Sequence, residues 1–278
     1  MEKKPSLLQK LASAQYIVWS VIFIIAPLIL VVYYAFTDAQ GNFTVANIQQ
    51  LGSYGNIFLR SIGYGLAATV ICLLLSYPFA YLLSQSGAKR QSTMILLVML
   101  PMWMNFLLRT YAWMSLLEDN GLINNMLAAV GLPRIHMINT AGAVVLGMVY
   151  NYIPYMILPI YSVLTKIDNS VIEAAQDLGA NNRNVFLKVV LPMSMPGVIS
   201  GVTMVFVPAV STFIISKMLG GGGNLLIGDL IDMQFLGSAY NPNLGSAISL
   251  VLMVIILICM GIMNQFDDGE NVGGGMIL

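Results

Sequence analysis

Residues 166–192 read KIDNSVIEAAQDLGANNRNVFLKVVLP, a polar, helix-forming island between two long apolar runs. Asp168, Asn169 and Ser170 are N-cap candidates, Ala174 and Ala175 favour helix, and Gly179 stands where a glycine stops one. The spacing predicts a first helix ending at Gly179 and a second, Asn184 to Leu191, closed by Pro192. Val171, Ala174, Ala175 and Leu178 recur at spacings of three and four and therefore share a face. That face is a low-relief apolar strip beside Glu173 and Asp177, suited to a partner's groove. A helix lying on lipid headgroups pairs a basic face with large apolar anchors, and the two acids argue against that role. Something on the water side of a membrane docks on such an island.

The membrane itself follows from composition. Of 278 residues, 58% are hydrophobic and 9% charged, and the mean hydropathy is +0.82. Soluble domains carry about 25% charged residues, so this chain lacks the polar side chains to cover itself. Apolar runs close to the roughly 20 residues that cross a bilayer recur along it, and the alternating segments of a membrane β-barrel are absent. The fold class is an all-α polytopic membrane protein. Six spans are expected, at about 16–36, 58–84, 93–117, 141–164, 196–218 and 245–265.

Basic residues concentrate in cytoplasmic loops, and their distribution orients the chain. With the N-terminus inside, Lys3, Lys4, Lys10, Lys89, Arg90, Lys166, Arg183 and Lys188 are cytoplasmic, against Arg60, Arg134 and Lys217 outside; Arg109 falls within the third span. Eight against three gives six crossings with cytoplasmic N- and C-termini. Ala12-Ser13-Ala14 precedes the first apolar run rather than following it, so the first segment is expected to stay as a span instead of being cleaved. The expected organisation is a cytoplasmic segment 1–15, one membrane domain 16–265 containing the 166–195 loop, and a flexible, acidic, glycine-rich tail 266–278.

Among the outer segments, 37–57 carries turn formers at Asp38 to Asn42, 118–140 reads as a short helix between turns, and 219–244 opens with Gly220 to Gly223 before an amphipathic helix, Asn224 to Leu236. Pro27, Pro78, Pro101, Pro154, Pro159 and Pro208 lie in the spans, where proline kinks a helix. They are either packing kinks or parts of a pathway that opens and closes. Cys72 and Cys259 have no metal-ligand spacing and read as small apolar packing residues. The single His136 reads as a solvated loop residue. No phosphate-binding Gly-x-x-x-x-Gly-Lys-Ser/Thr loop is present, because Gly223 is followed by Asn224 and Leu225. Energy for any active process must come from another polypeptide.

Glu173-Ala174-Ala175, then Gly179, Val189, Leu191 and Pro192, resembles the signature loop of importer-type ABC transporter permeases, with Val189 where isoleucine is usual. Leu100 to Trp113, Gly121 to Asn124, Ala175 to Ala180 and Gly220 to Asp229 with Gln234 to Leu236 narrow the likeness to permease subunits of spermidine/putrescine importers, over roughly residues 15–265. The resemblance implies the type I importer (MetI-like) fold in a bacterial cytoplasmic membrane. It implies that Glu173, Ala174, Ala175, Asp177, Gly179, Leu191 and Pro192 couple this chain to an ATP-hydrolysing subunit. It also implies a second, homologous permease, a dimer of ATP-binding subunits holding ATP and magnesium, and an extracytoplasmic polyamine-binding protein. No cofactor on this chain and no nucleic acid is implied.

A polyamine pathway should offer aromatic faces to cations and avoid deeply buried unpaired charge. Trp103, Asn105, Tyr111, Tyr150, Asn151, Tyr152, Tyr155, Phe206, Thr212 and Phe213 are candidates, each weighed against packing or interface anchoring. Asp229 and Asp232, three apart on the outer helix, either attract cations, dock the binding protein or form a solvated face; Glu118 and Asp119 allow the same readings. Lys217 and Arg109 oppose a cationic cargo, unless Asp229 or another acid neutralises Lys217; Arg109 could snorkel outward or bond backbone carbonyls. A stand-alone carrier would need a buried carboxylate or a discontinuous-helix ion site, and no acid lies deep in an expected span. An enzyme would need a clustered constellation that is missing.

Overall fold

The computed structural model describes residues 15–237 and 239–271, so most of the N-terminal segment 1–15 and the tail beyond Asn271 lie outside the described residues. Among the described residues the regular structure is helical, apart from one bridge between Thr37 and Phe43. The helices are α1 (Gln15–Ala35), α2 (Ala46–Gln50), α3 (Gly55–Ser84), α4 (Ala88–Met99), α5 (Phe106–Leu117), α6 (Leu122–Ala129), α7 (Ala141–Leu164), α8 (Asn169–Asp177), α9 (Asn182–Ser211), α10 (Ile214–Leu219), α11 (Ile227–Phe235) and α12 (Pro242–Asn271). Five helical runs are long and apolar enough to cross a membrane, and a sixth if the bent pair Ala88–Trp103 and Phe106–Ala129 counts as one span.

That pair corrects the straight span expected at 93–117. The chain turns through 90° between Trp103 and Phe106. Pro101 begins a tight 3₁₀ turn, Leu100–Trp103. Asn105 then starts the next helix, its side chain accepting from the Leu107 and Leu108 backbone N–H groups at 2.8 and 3.4 Å. A missing donor followed by a strong N-cap ends one helix and begins another.

The fifth run differs in the opposite sense. The expected second short helix does not close at Pro192; helix continues from Asn182 to Ser211. A widened turn over Phe186–Val190, in which Leu191 N–H reaches the Phe186 carbonyl, precedes the proline. The same device precedes Pro27, where Ala26 N–H reaches Val21. Such π-turns accommodate a ring and a missing donor without ending the helix.

Contacts divide the chain into two compact units, one formed by the described residues up to Gly55 with Leu230–Val254, the other by Asn56–Asp229 with the described residues from Ile255. In the first unit, two buried amides clamp the end of α1. Asn47 Nδ2 donates to the Ala35 and Thr37 carbonyls, and Asn243 Nδ2 to those of Tyr34 and Thr37.

The second unit is built around α7 and α9, its most extensively packed helix pair. A Cβ on Gly197 would lie 2.9 Å from the Pro159 carbonyl oxygen and 3.1 Å from the Ile160 Cα. Glycine there lets the two backbones approach, as is usual between helices in lipid. The loops of this unit gather at its two ends. At one, Arg60 Nη1 donates to the Gly223 carbonyl (2.8 Å), Tyr64 to Asn224 (3.0 Å) and Asn139 N–H to Leu219 (2.9 Å). At the other, Gln91 donates to the Ser84 and Ser86 carbonyls and accepts from the Tyr161 hydroxyl. Asn139 and Tyr161 flank most of α7, so about 30 Å of helix separates the two groups.

Candidate functional site

The 166–195 loop hangs from the α7–α9 pair. Asp168 caps α8, its carboxylate accepting from Ser170 N–H at 3.0 Å. That backbone donor holds the carboxyl below its usual range. At the other end Gly179 adopts φ +84°. Its N–H reaches the Gln176 carbonyl at 2.8 Å, and Ala180 N–H reaches Ala175 at 3.1 Å. These are the two bonds of a Schellman stop, so the glycine fixes where α8 ends.

The faces of α8 differ from the expected strip. Ile172, Ala175 and Ala180 pack against the core, while Val171, Glu173, Ala174, Asp177 and Leu178 are exposed, Leu178 to 90%. The outward surface is therefore Val171, Ala174 and Leu178 with the two acids, and Ala175 holds the helix to the protein. A residue pattern with small side chains on both faces hides which one turns inward; Ile172, the largest apolar residue of the first turns, was the available signal.

Beyond Gly179, Asn181 caps the start of α9 by accepting from Asn184 N–H (2.9 Å). Phe186 on the π-turn meets the rings of Tyr77 and Tyr81 edge-on, at 5.8 and 5.3 Å. The Tyr77 hydroxyl and Ser194 Oγ share a buried 2.7 Å hydrogen bond. These contacts tie the loop to α3 and were not legible from spacing. Val189 and Pro192 are half-buried beside them, as is Leu191. Behind α8 lies a cavity of about 640 Å³, whose lining includes Tyr81, Ser84, Gln85, Asn169, Gln176 and Asn182. The arrangement is a short exposed helix, stopped at both ends and joined by short connections to two closely packed helices, α7 and α9.

The pathway candidates divide. The Tyr152 hydroxyl donates to the Pro208 carbonyl at 3.4 Å, and α5, α7 and α10, which follows the break after α9, pack together there. Tyr150 stacks edge-on with Trp113 at 5.3 Å, Asn151 is buried and bonds the Gly147 carbonyl, Phe206 is buried, and Phe213 is exposed at the break. Trp103 and Tyr111 are exposed on the bent pair, and Asn105 is its cap. Arg109 does not snorkel: it is 8% exposed, its Nε and Nη1 have no hydrogen-bond partner among the described residues, and its guanidinium lies over the Phe106 ring at 5.8 Å. Asp229 is 4% exposed rather than solvated, and its Oδ2 accepts from Leu226 N–H; Asp232 is half-buried. Asp119 pairs with His136 at 2.8 Å on the surface, and Glu118 is exposed.

Residues 2–269 match the family described as binding-protein-dependent transport system inner membrane components. The chain belongs to this family. It is 39% identical over 258 residues to the spermidine/putrescine transport system permease protein PotB of Haemophilus influenzae, covering 89% of this chain and 90% of that one. It is 34% identical over 248 residues to PotB of Escherichia coli K12, covering 86% and 90%. Its fold matches a chain of a bacterial ABC transporter involved in the import of the acidic polysaccharide alginate, with a TM-score of 0.76 at 19% identity, over 93% of this chain and 94% of that one. This inner membrane component is thus a multi-pass, all-helical ABC permease subunit.

Proposed function

We propose that this permease subunit imports polyamines, spermidine or putrescine, across a bacterial cytoplasmic membrane, and that α8 is its coupling helix. The cargo assignment rests on its likeness to PotB proteins over about nine-tenths of the chain. The chain crosses the membrane six times with both ends in the cytoplasm. The grouping of Lys89, Arg90, Lys166, Arg183 and Lys188 with the 84–91 and 166–195 loops supports that orientation. The exposed face of α8, Val171, Glu173, Ala174, Asp177 and Leu178, sits in a cleft of a separate ATPase subunit. A second permease completes the pathway, and an extracytoplasmic binding protein delivers the cargo. ATP and magnesium reside on the ATPase dimer, not on this chain. Closure of that dimer pulls α8; Phe186 and Gly197 transmit the displacement to α3, α7 and α9, and the cavity turns outward.

The carrying observation for coupling is an exposed helix with a Schellman stop, suspended between the two most closely packed spans. Scrambling residues 171–179 should abolish ATP-driven spermidine uptake in proteoliposomes holding the full complex, with the chain still in the membrane; undiminished uptake sinks the reading. Arg109 favours a second reading. A buried cation beside Tyr152 suits a cargo bearing an anionic group, so the same complex importing another small solute is the alternative. Uptake measured against a panel of cationic, neutral and anionic solutes separates the two.

A further inference from the structure

The end of α1 and the start of α12 border an open cavity of about 670 Å³, whose lining includes Tyr33, Tyr34, Tyr240, Asp38 and Asn243. It belongs to the first unit alone and shares nothing with the coupling loop. Tyr33, Tyr34 and Tyr240 are 52%, 41% and 70% exposed, and the rings of Tyr33 and Tyr34 stand edge-on at 5.6 Å. The cavity wall is held in place: Asn47 and Asn243 together bind the Thr37 carbonyl at 2.9 and 2.7 Å, which fixes Asp38 next to it. Asp38 Oδ1 accepts from the Gln40 and Asn42 N–H groups at 2.9 and 2.8 Å, whereas among the described residues Oδ2 receives only the Asn42 amide, at 3.4 Å. One carboxylate oxygen thus keeps acceptor capacity. The backbone donors, Asn42 foremost, hold this carboxyl below its usual range, so it is anionic at neutral pH. No lysine or arginine is among the described residues that line the cavity.

The described lining residues offer a single carboxylate, too few for a metal, and no cation for an anion. Aromatic faces around one carboxylate attract an organic cation, and the volume lies within the range of small-molecule sites, about 300–1,000 Å³. We propose that Asp38 with Tyr33, Tyr34 and Tyr240 forms a primary-ammonium site. The inference rests on the polyamine-importer reading and deepens it by naming a subsite at the end where, in the proposed orientation, cargo arrives. The ammonium comes from one of two sources, the cargo or a lysine of the docked binding protein. Aromatic-belt tyrosines are the competing explanation.

The test uses the assembled transporter in lipid nanodiscs. Radiolabelled spermidine binding is measured without the binding protein, and affinity for the cargo-loaded binding protein is measured separately. Asp38→Asn keeps the acceptor for Gln40 and Asn42 but removes the charge; Tyr240→Leu removes a ring that Tyr240→Phe retains. If the cargo supplies the ammonium, Asp38→Asn weakens spermidine binding on the order of tenfold and Tyr240→Leu severalfold, with Tyr240→Phe close to wild type. If a lysine supplies it, the same ranking appears in binding-protein affinity while spermidine binding is unchanged. Wild-type behaviour of Asp38→Asn and Tyr240→Leu in both measurements overturns the site, as does an equal loss in Tyr240→Leu and Tyr240→Phe. ATP-driven spermidine uptake by the wild-type complex is scored separately, and its absence defeats the polyamine reading whatever the variants do.

Discussion

At Gly179 the backbone sits at φ +84°, and a Cβ there would meet nothing within 4 Å. Alanine would therefore cost only the left-handed conformation, about 1–2 kcal/mol, and asparagine less. Gly179→Ala is expected to lower ATP-driven uptake severalfold with membrane abundance unchanged, and Gly179→Asn to retain more activity than alanine. At Gly197 the constraint is contact instead, with backbone atoms of α7 at 2.9 and 3.1 Å. Alanine there should lower the thermal midpoint of the solubilised chain as well as uptake. Asp168 adds a pH signature. Its folded pKa is depressed by the Ser170 N–H, so its capping contribution is complete above the unfolded value and is lost as pH falls through the folded one. Protection factors of the 168–178 amides, taken against the intrinsic exchange rate at each pH, should be higher at neutral pH and should fall below about pH 4. Asp168→Asn, which keeps an acceptor without titrating, should remove that dependence.

Individual elements show where sequence reading succeeds and where it stops. Hydropathy located the apolar runs because a membrane span is an average over some twenty side chains. It missed the 90° break because Leu100 to Met104 is as apolar as its surroundings, and an average does not register one absent N–H. The stop signal was present in Pro101 and Asn105, a proline followed by a cap four residues on. Asn105→Ala should remove about 1 kcal/mol of cap, read as a lower denaturation midpoint, with Asn105→Ser restoring most of it. Gly179 was legible because its requirement is local. The inward turn of Ala175 and the Phe186–Tyr81 contact were not, because they depend on α3 and the core, distant in sequence. Pro192 misled for a related reason: a π-turn absorbs its missing donor, so helix persists where spacing alone predicted an end.

For the whole molecule, the question is which water phase faces each loop group. The Gly223–Arg60–Asn139 group and the Gln91–Tyr161 group are held apart by α7, a helix of 24 residues or about 36 Å. Bilayer hydrocarbon is about 30 Å thick, so the two groups belong to opposite surfaces if α7 spans. Basic residues are denser in the second group, which favours the proposed cytoplasmic placement, and α8 belongs to that group through Leu164 and Asn169, both lining the cavity beside Ser84. Cysteines introduced singly at Gly223 and Ala174, in a chain lacking Cys72 and Cys259, should therefore report opposite sides. A membrane-impermeant maleimide should label Gly223→Cys in intact cells and Ala174→Cys only after permeabilisation. Assembly with the ATPase should then shield Ala174→Cys, because its side chain lies on the exposed face of α8, whereas Gly223→Cys should react equally with and without it. Labelling of Ala174→Cys from outside would reverse the orientation, and unaltered labelling on assembly would remove α8 from the ATPase contact.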